Sequence, residues 1–137
     1  MDKVQYEDSL EDKPLKDLTN YFFSWRHFNF AKNEMIAGMT GEDHRFDFVI
    51  SGSRQETPLS GKGIGVMVLD YRKHCGTDSV IKAEKAGKDC DLGKMMVISN
   101  GFSSSAQAMA KRAGILTLSR GELISILRIH GADIFDA

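Results

Sequence analysis

The stretch KMMVISNGFSSSAQAMAKRAGILTLSRGELISIL, residues 94–127, decides how this chain is read. KMMVIS (94–99) is a short apolar run of the length of one buried strand. Ser103–Ala113 follows as a helix, with Ala106, Met109, Ala110 and Ala113 spaced i, i+3, i+4 and i+7. Ser104 and Gln107 offer a capping box at its start, and Gly114 is the stop. Ile115–Leu118 is a second buried strand. Ser119-x-x-Glu122 is another capping box, opening a helix with Leu123, Ile126 and Leu127 inward.

Upstream, Thr77–Lys88 reads as a weakly periodic helix. Before it, GIGVMVLDYR (63–72) is a strand with apolar residues on both faces, as a central strand requires. SRQETPLSGKG (53–63) is a long hairpin loop. Its Gly61-Lys62-Gly63 is a turn, not a phosphate loop, because Ile64 follows and a strand opens there. HRFDFVIS (44–51) alternates, placing Phe46, Phe48 and Ile50 on one face and Arg45, Asp47 and Val49 on the other. Residues 28–39 are a further strand, joined to it by the turn TGED (40–43). The first helix has Asp12 as N-cap, Pro14 in its first turn and a stripe of Leu15, Leu18, Phe22 and Trp25. A hairpin run followed by alternating helices and strands predicts an α/β fold: a central mixed β-sheet flanked by helices on both faces.

With 137 residues, 42% hydrophobic and 27% charged, the chain fits one domain, its core at about 10–128 and 1–9 and 129–137 peripheral. The net charge of −1 argues against coating nucleic acid by bulk charge. The first twenty residues hold three Lys against six acids, so the remainder is slightly basic. No apolar run reaches the ~20 residues of a bilayer span. The acidic start MDKVQYEDSLEDK lacks the apolar segment of a secretory signal, so a cytoplasmic protein is expected. Cys75 and Cys90 lack zinc-ligand spacing and are expected to be reduced and structural.

Two acids carry the chemistry. Asp47 lies inside one strand, flanked by Phe46, Phe48 and Val49, where an acid costs free energy unless paired or bound to metal. Asp70 lies at the end of the next strand, with Arg72 two residues on and on the same face. If the strands pair, the two carboxylates and the Tyr71 carbonyl form a hard oxygen site suited to Mg²⁺ or Mn²⁺. Glu11, Asp17 and Glu34 are equal candidates for a third carboxylate. A structural Asp47–Arg72 salt bridge is the competing reading. His44 and His74 are placed beside the site. Lys82, Lys85 and Lys88 form a solvated helix face, and Ser99-Asn100-Gly101 is a strand-to-helix turn explained by capping.

The order RFDFVI (45–50), VMVLDYRKH (66–74), KMMVISNGFSSSAQAMAKRAGILTL (94–118) and GELISIL (121–127) resembles the Mrr-type restriction endonuclease domain of the PD-(D/E)xK nuclease superfamily. The resemblance spans about residues 10–128 and is most distinctive from Val97 to Leu127. It implies a three-layer restriction-endonuclease-like fold and metal-dependent hydrolysis of DNA. Asp47 takes the place of the motif Asp, Asp70 of its Glu and Arg72 of its Lys. Asp47, Asp70 and the Tyr71 carbonyl would hold the metal, and Arg45, Lys73 and His74 would contact DNA. The Lys-to-Arg change matters: arginine stays protonated, so it stabilises phosphate charge but cannot act as a base. Cutting both strands of a duplex implies a homodimer. The same fold also accommodates a catalytically silent member that binds nucleic acid or protein, or a purely structural domain.

Overall fold

In the computed structural model, residues 10–53, 63–70 and 74–129 are described. Helix α1 (Leu15–Trp25) leads into strands β1 (Phe28–Ala37), β2 (Asp43–Ser53) and β3 (Ile64–Leu69). Helix α2 (Thr77–Asp89), strand β4 (Lys94–Ser99), helix α3 (Ser104–Ala113), strand β5 (Leu116–Ser119) and helix α4 (Arg120–Ile129) follow. The sheet order is β1-β2-β3-β4-β5. The β1–β2 and β2–β3 pairs are antiparallel, and the β3–β4 and β4–β5 pairs are parallel. The α/β mixed sheet with helices on both faces is the expected architecture.

Two cores hold the three layers together. On one face, Leu15, Leu18 and Phe23 of α1 and Leu123, Ile124 and Leu127 of α4 pack on Phe48, Ile50, Val66, Val68 and Ile98. Phe23 is fully buried and meets Phe28, Phe30 and Phe48 at ring-centroid distances of 5.8, 5.7 and 5.3 Å. On the other face, Val80, Ala83 and Ala86 of α2 and Ala106 and Ala110 of α3 pack on Phe46, Met95 and Val97. Small residues there let two helices lie close to the sheet. Cys75 and Cys90 are buried in this second core, with the Cys90 thiol donating to the Ile36 carbonyl at 3.6 Å. No described helix is long and apolar enough to cross a membrane.

The local signals of the second half are met with small corrections. Gly114 ends α3 at φ 73°, the left-handed turn that glycine adopts without strain. Ser119 Oγ accepts from the Glu122 N–H while Glu122 Oε1 accepts from the Ser119 N–H, both at 3.1 Å, completing the capping box. The cap of α3 is Ser103, whose side chain accepts from the Ala106 N–H, in place of the expected Ser104–Gln107 box. Ile124, rather than Ile126, completes the buried stripe of α4. In α1, Phe23 and Thr19 are buried instead of Phe22 and Trp25.

The largest correction concerns the alternation in β2. Phe48 and Ile50 enter the first core, but Phe46 enters the second. Strand β1 changes face in step: Phe28 and Phe30 pack on the first core and Ile36 on the second. The register Lys32↔Phe48 and Glu34↔Phe46 sets Asn33 opposite Asp47, and Asn33 has φ 52°, a conformation asparagine tolerates. The β2–β3 ladder runs only to Phe48↔Val66. Beyond it the β1–β2 ribbon leaves β3, and its tip is tied to the end of α2. The Met39 N–H donates to the Asp89 carbonyl at 2.9 Å, and Thr40 and His44 bond the Asp89 carboxylate.

Candidate functional site

Asp47 lies where the ribbon departs. Its Oδ2 accepts from the Val68 N–H at 2.7 Å, a donor that the shortened ladder leaves to it. Its Oδ1 faces the ammonium of Lys16, from the first turn of α1, at 3.0 Å. The Asp47 side chain is 17% exposed and that of Lys16 48%.

Asp70 directly follows β3. The residue ahead of α1 is Pro14, which has no side-chain acceptor, and Asp12 makes no cap there. Instead, Asp70 Oδ2 accepts from the Leu15 N–H at 3.0 Å, capping α1 from 55 residues away. A carboxylate at a helix N-terminus also meets the positive end of its dipole. Asp70 Oδ1 accepts from Asn100 Nδ2 at 3.0 Å and Arg120 Nη2 at 3.1 Å. Arg120 reaches further, donating from Nε to Asn100 Oδ1 at 2.6 Å and from Nη1 to the Lys13 carbonyl at 2.7 Å. Burial pushes Asp70 up, but the Leu15 N–H, the Asn100 amide and the Arg120 guanidinium outweigh it and hold the carboxyl below its ordinary value.

The ends of β3 (Asp70), β4 (Asn100) and β5 (Arg120) therefore close one polar network over the first turn of α1, and Asp47 meets the Lys16 ammonium that springs from the same turn. Open α/β sheets bind ligands outside the carboxyl ends of their parallel strands. Sequence spacing singles out both aspartates, and each contacts a residue of this turn: Asp70 the Leu15 N–H and Asp47 the Lys16 ammonium. Arg72, Tyr71 and Lys73 lie outside the described residues. Strand β3 stops at Leu69, so the expectation that His74 continues the face of Asp70 does not hold. His74 is exposed, its ring lying so close to Gly101 that a Cβ there would overlap it. Arg45 donates to Asn33 Oδ1 at 3.1 Å. His44 does not flank the site; its Nε2 bonds Asp89 Oδ2 at 2.7 Å.

Of the candidate third carboxylates, Glu11 is engaged by Arg128 at 3.0 Å. Glu34 lines a groove of about 390 Å³ with Ile36 and Val49, residues that pack on the second core, away from Lys16. Asp17 is exposed in the first turn of α1. Lys16 and Arg120 are site residues that the sequence pattern does not mark. Neither carries a local signal, because each is recruited by residues far away in the chain.

Among the described residues, no three His, Cys, Asp or Glu side chains are grouped to hold a metal ion. Two carboxylates still fit Mg²⁺, which is commonly held by one or two carboxylates together with waters and substrate phosphates. A carboxylate has about four acceptor positions. The hydrogen bonds and ion pair given above leave capacity on both Asp47 and Asp70.

No protein-family model matches this chain, and no curated protein matches it. Among solved structures, the crystal structure of a protein of unknown function, AF1548, matches with a TM-score of 0.66 at 14% identity. The match covers 85% of this chain and 64% of that one, and at this identity it shows the fold alone.

Proposed function

We propose that this chain is a divalent-metal-dependent nuclease domain that hydrolyses phosphodiester bonds in DNA, with Asp47 and Asp70 as the metal-holding carboxylates. One observation carries the reading: carboxylates from two adjacent strands reach the same turn of α1, at the carboxyl end of the sheet, beside two cationic side chains. Asp47 and Asp70 would hold Mg²⁺ or Mn²⁺, which would supply an acidified water and positive charge for the phosphate. Asn100 and Arg120 hold the Asp70 carboxylate in place. The Val68 N–H fixes one oxygen of Asp47 and leaves the other turned to Lys16. Arg72, as a permanent cation, would stabilise phosphate charge. Cleavage of both strands calls for a homodimer, and two buried cysteines without zinc-ligand spacing fit a reducing, cytoplasmic location.

A second reading is a silent member that binds nucleic acid without cutting it. It is favoured by the engagement of every oxygen of Asp47 and Asp70 with a protein donor. Relaxation of supercoiled plasmid separates the two. The nuclease reading expects nicking that needs Mg²⁺ or Mn²⁺. Salt-dependent DNA binding without cleavage in either metal supports the silent reading instead.

A further inference from the structure

We propose that Lys16 is the exchangeable counter-ion of this site: its ammonium covers Asp47 Oδ1 in the metal-free protein and turns to substrate phosphate when a divalent cation takes that oxygen. The inference rests on the carboxylate site proposed above.

Three observations point to it. Asp47 is mostly buried, and its Oδ2 is turned to a strand N–H at 2.7 Å, so Oδ1 is the oxygen left to an external cation. Lys16 holds that oxygen at 3.0 Å from a half-exposed position. Among the described residues, the second cation beside the carboxylates is not free to move in the same way: Arg120 bonds Asp70, Asn100 and the Lys13 carbonyl and is 20% exposed. Lysine suits exchange, since its ammonium is a compact, hydrated charge on a flexible four-carbon stem with no fork geometry to satisfy. A divalent ion and an ammonium repel at contact distance, so metal entry at Oδ1 drives the ammonium off. The stem remains rooted on the first turn of α1, one residue from the N–H that Asp70 accepts. From there it stays within reach of an anion bound between the carboxylates. Lys16 thus balances the charge of Asp47 before a cation enters and supplies an amine cation to the site once one is bound.

The test is calorimetric titration of Mn²⁺ into the wild type, Lys16→Met, Lys16→Gln and Lys16→Arg at low salt, with plasmid nicking measured alongside. Removing a half-exposed competitor should tighten Mn²⁺ binding about threefold in Lys16→Met and Lys16→Gln. Lys16→Arg keeps the charge and should bind Mn²⁺ like the wild type. Nicking should fall at least tenfold in the neutral variants and recover in part in Lys16→Arg. Using two neutral variants keeps a folding defect in one from hiding the answer. Equal or weaker Mn²⁺ affinity in both neutral variants overturns the exchange and leaves the metal site standing. Absence of Mn²⁺ binding in wild type and variants alike overturns both.

Discussion

Asp70 and Asp89 are each held by three hydrogen bonds from distant residues, yet they do different work. Thr40 and His44, at the tip of the β1–β2 ribbon, supply the three hydrogen bonds to the Asp89 carboxylate, and its side chain is 11% exposed. It is a latch that ties one ribbon tip to the end of α2. The partners of Asp70 come from the start of α1, the end of β4 and the start of α4, and its side chain is 41% exposed. It gathers three elements around an open corner where a second carboxylate waits. The same acid with the same number of bonds is closed in one place and open in the other. What differs is how many elements the donors come from and whether solvent reaches the oxygens. The latch still matters to the open corner, because the ribbon it fastens is the one whose departure from β3 aims Asp47 at Lys16.

The largest effect should come from Arg120→Met. It leaves the Asp70 carboxylate, the Asn100 carbonyl and the Lys13 carbonyl short of a donor, and should cost about 2–3 kcal/mol in urea unfolding. A loss below about 0.5 kcal/mol would mean that Asp70 gathers nothing. On the other side of the comparison stands Gly38→Ala. A Cβ at Gly38 would overlap the Asp89 carboxylate, so the latch must shift, at a cost of about 1–2 kcal/mol. If Asp47 is aimed by the ribbon, the same variant should nick plasmid several-fold more slowly while keeping its fold, as circular dichroism would show. An unchanged rate would uncouple the two corners.

Asp70→Asn is expected to be milder at neutral pH, about 1 kcal/mol or less, because solvent screens the exposed carboxylate. Its signature is in acid. Asp70 is held below its ordinary value, so the charged form adds stability above a pKa of about 3.9, lost as pH falls through the lower folded-state value. The gap between wild type and Asp70→Asn should therefore narrow as pH falls below the ordinary carboxylate value and through the lower folded-state one. Asp89 shifts the same way, chiefly through the Thr40 N–H, then the Thr40 hydroxyl and His44. Asp89→Asn should likewise flatten the acid limb of thermal melting, and an acid limb identical to wild type would remove its charge from the account.

Local signals were legible and remote ones were not. The bounds of β4, the left-handed Gly114 and the Ser119–Glu122 box depend on residues within one turn of each other, and pattern reading finds such features. Asp47 was legible because an acid between Phe46 and Phe48 conflicts with the apolar pattern of a strand. The cap of α1 was not, since Asp12 has the right chemistry nearby while the residue that does the capping is Asp70. Nor was the change of face at Asn33 and Asp47. Period-2 alternation carries no mark of a bend, and the one local trace is an asparagine able to take φ 52°. Arg120 sits inside the Ser119–Glu122 box, which does not use its side chain; its role exists only once β3, β4 and β5 end side by side.

Nicking of supercoiled plasmid in Mn²⁺ by wild type, Asp47→Ala, Asp70→Asn and Asp89→Asn tests the central claim most directly. Cleavage by the wild type should fall on the order of 100-fold or more in Asp47→Ala and Asp70→Asn and survive in Asp89→Asn, the closed carboxylate. Cleavage that survives in Asp47→Ala, or none by the wild type in either Mg²⁺ or Mn²⁺, would contradict it.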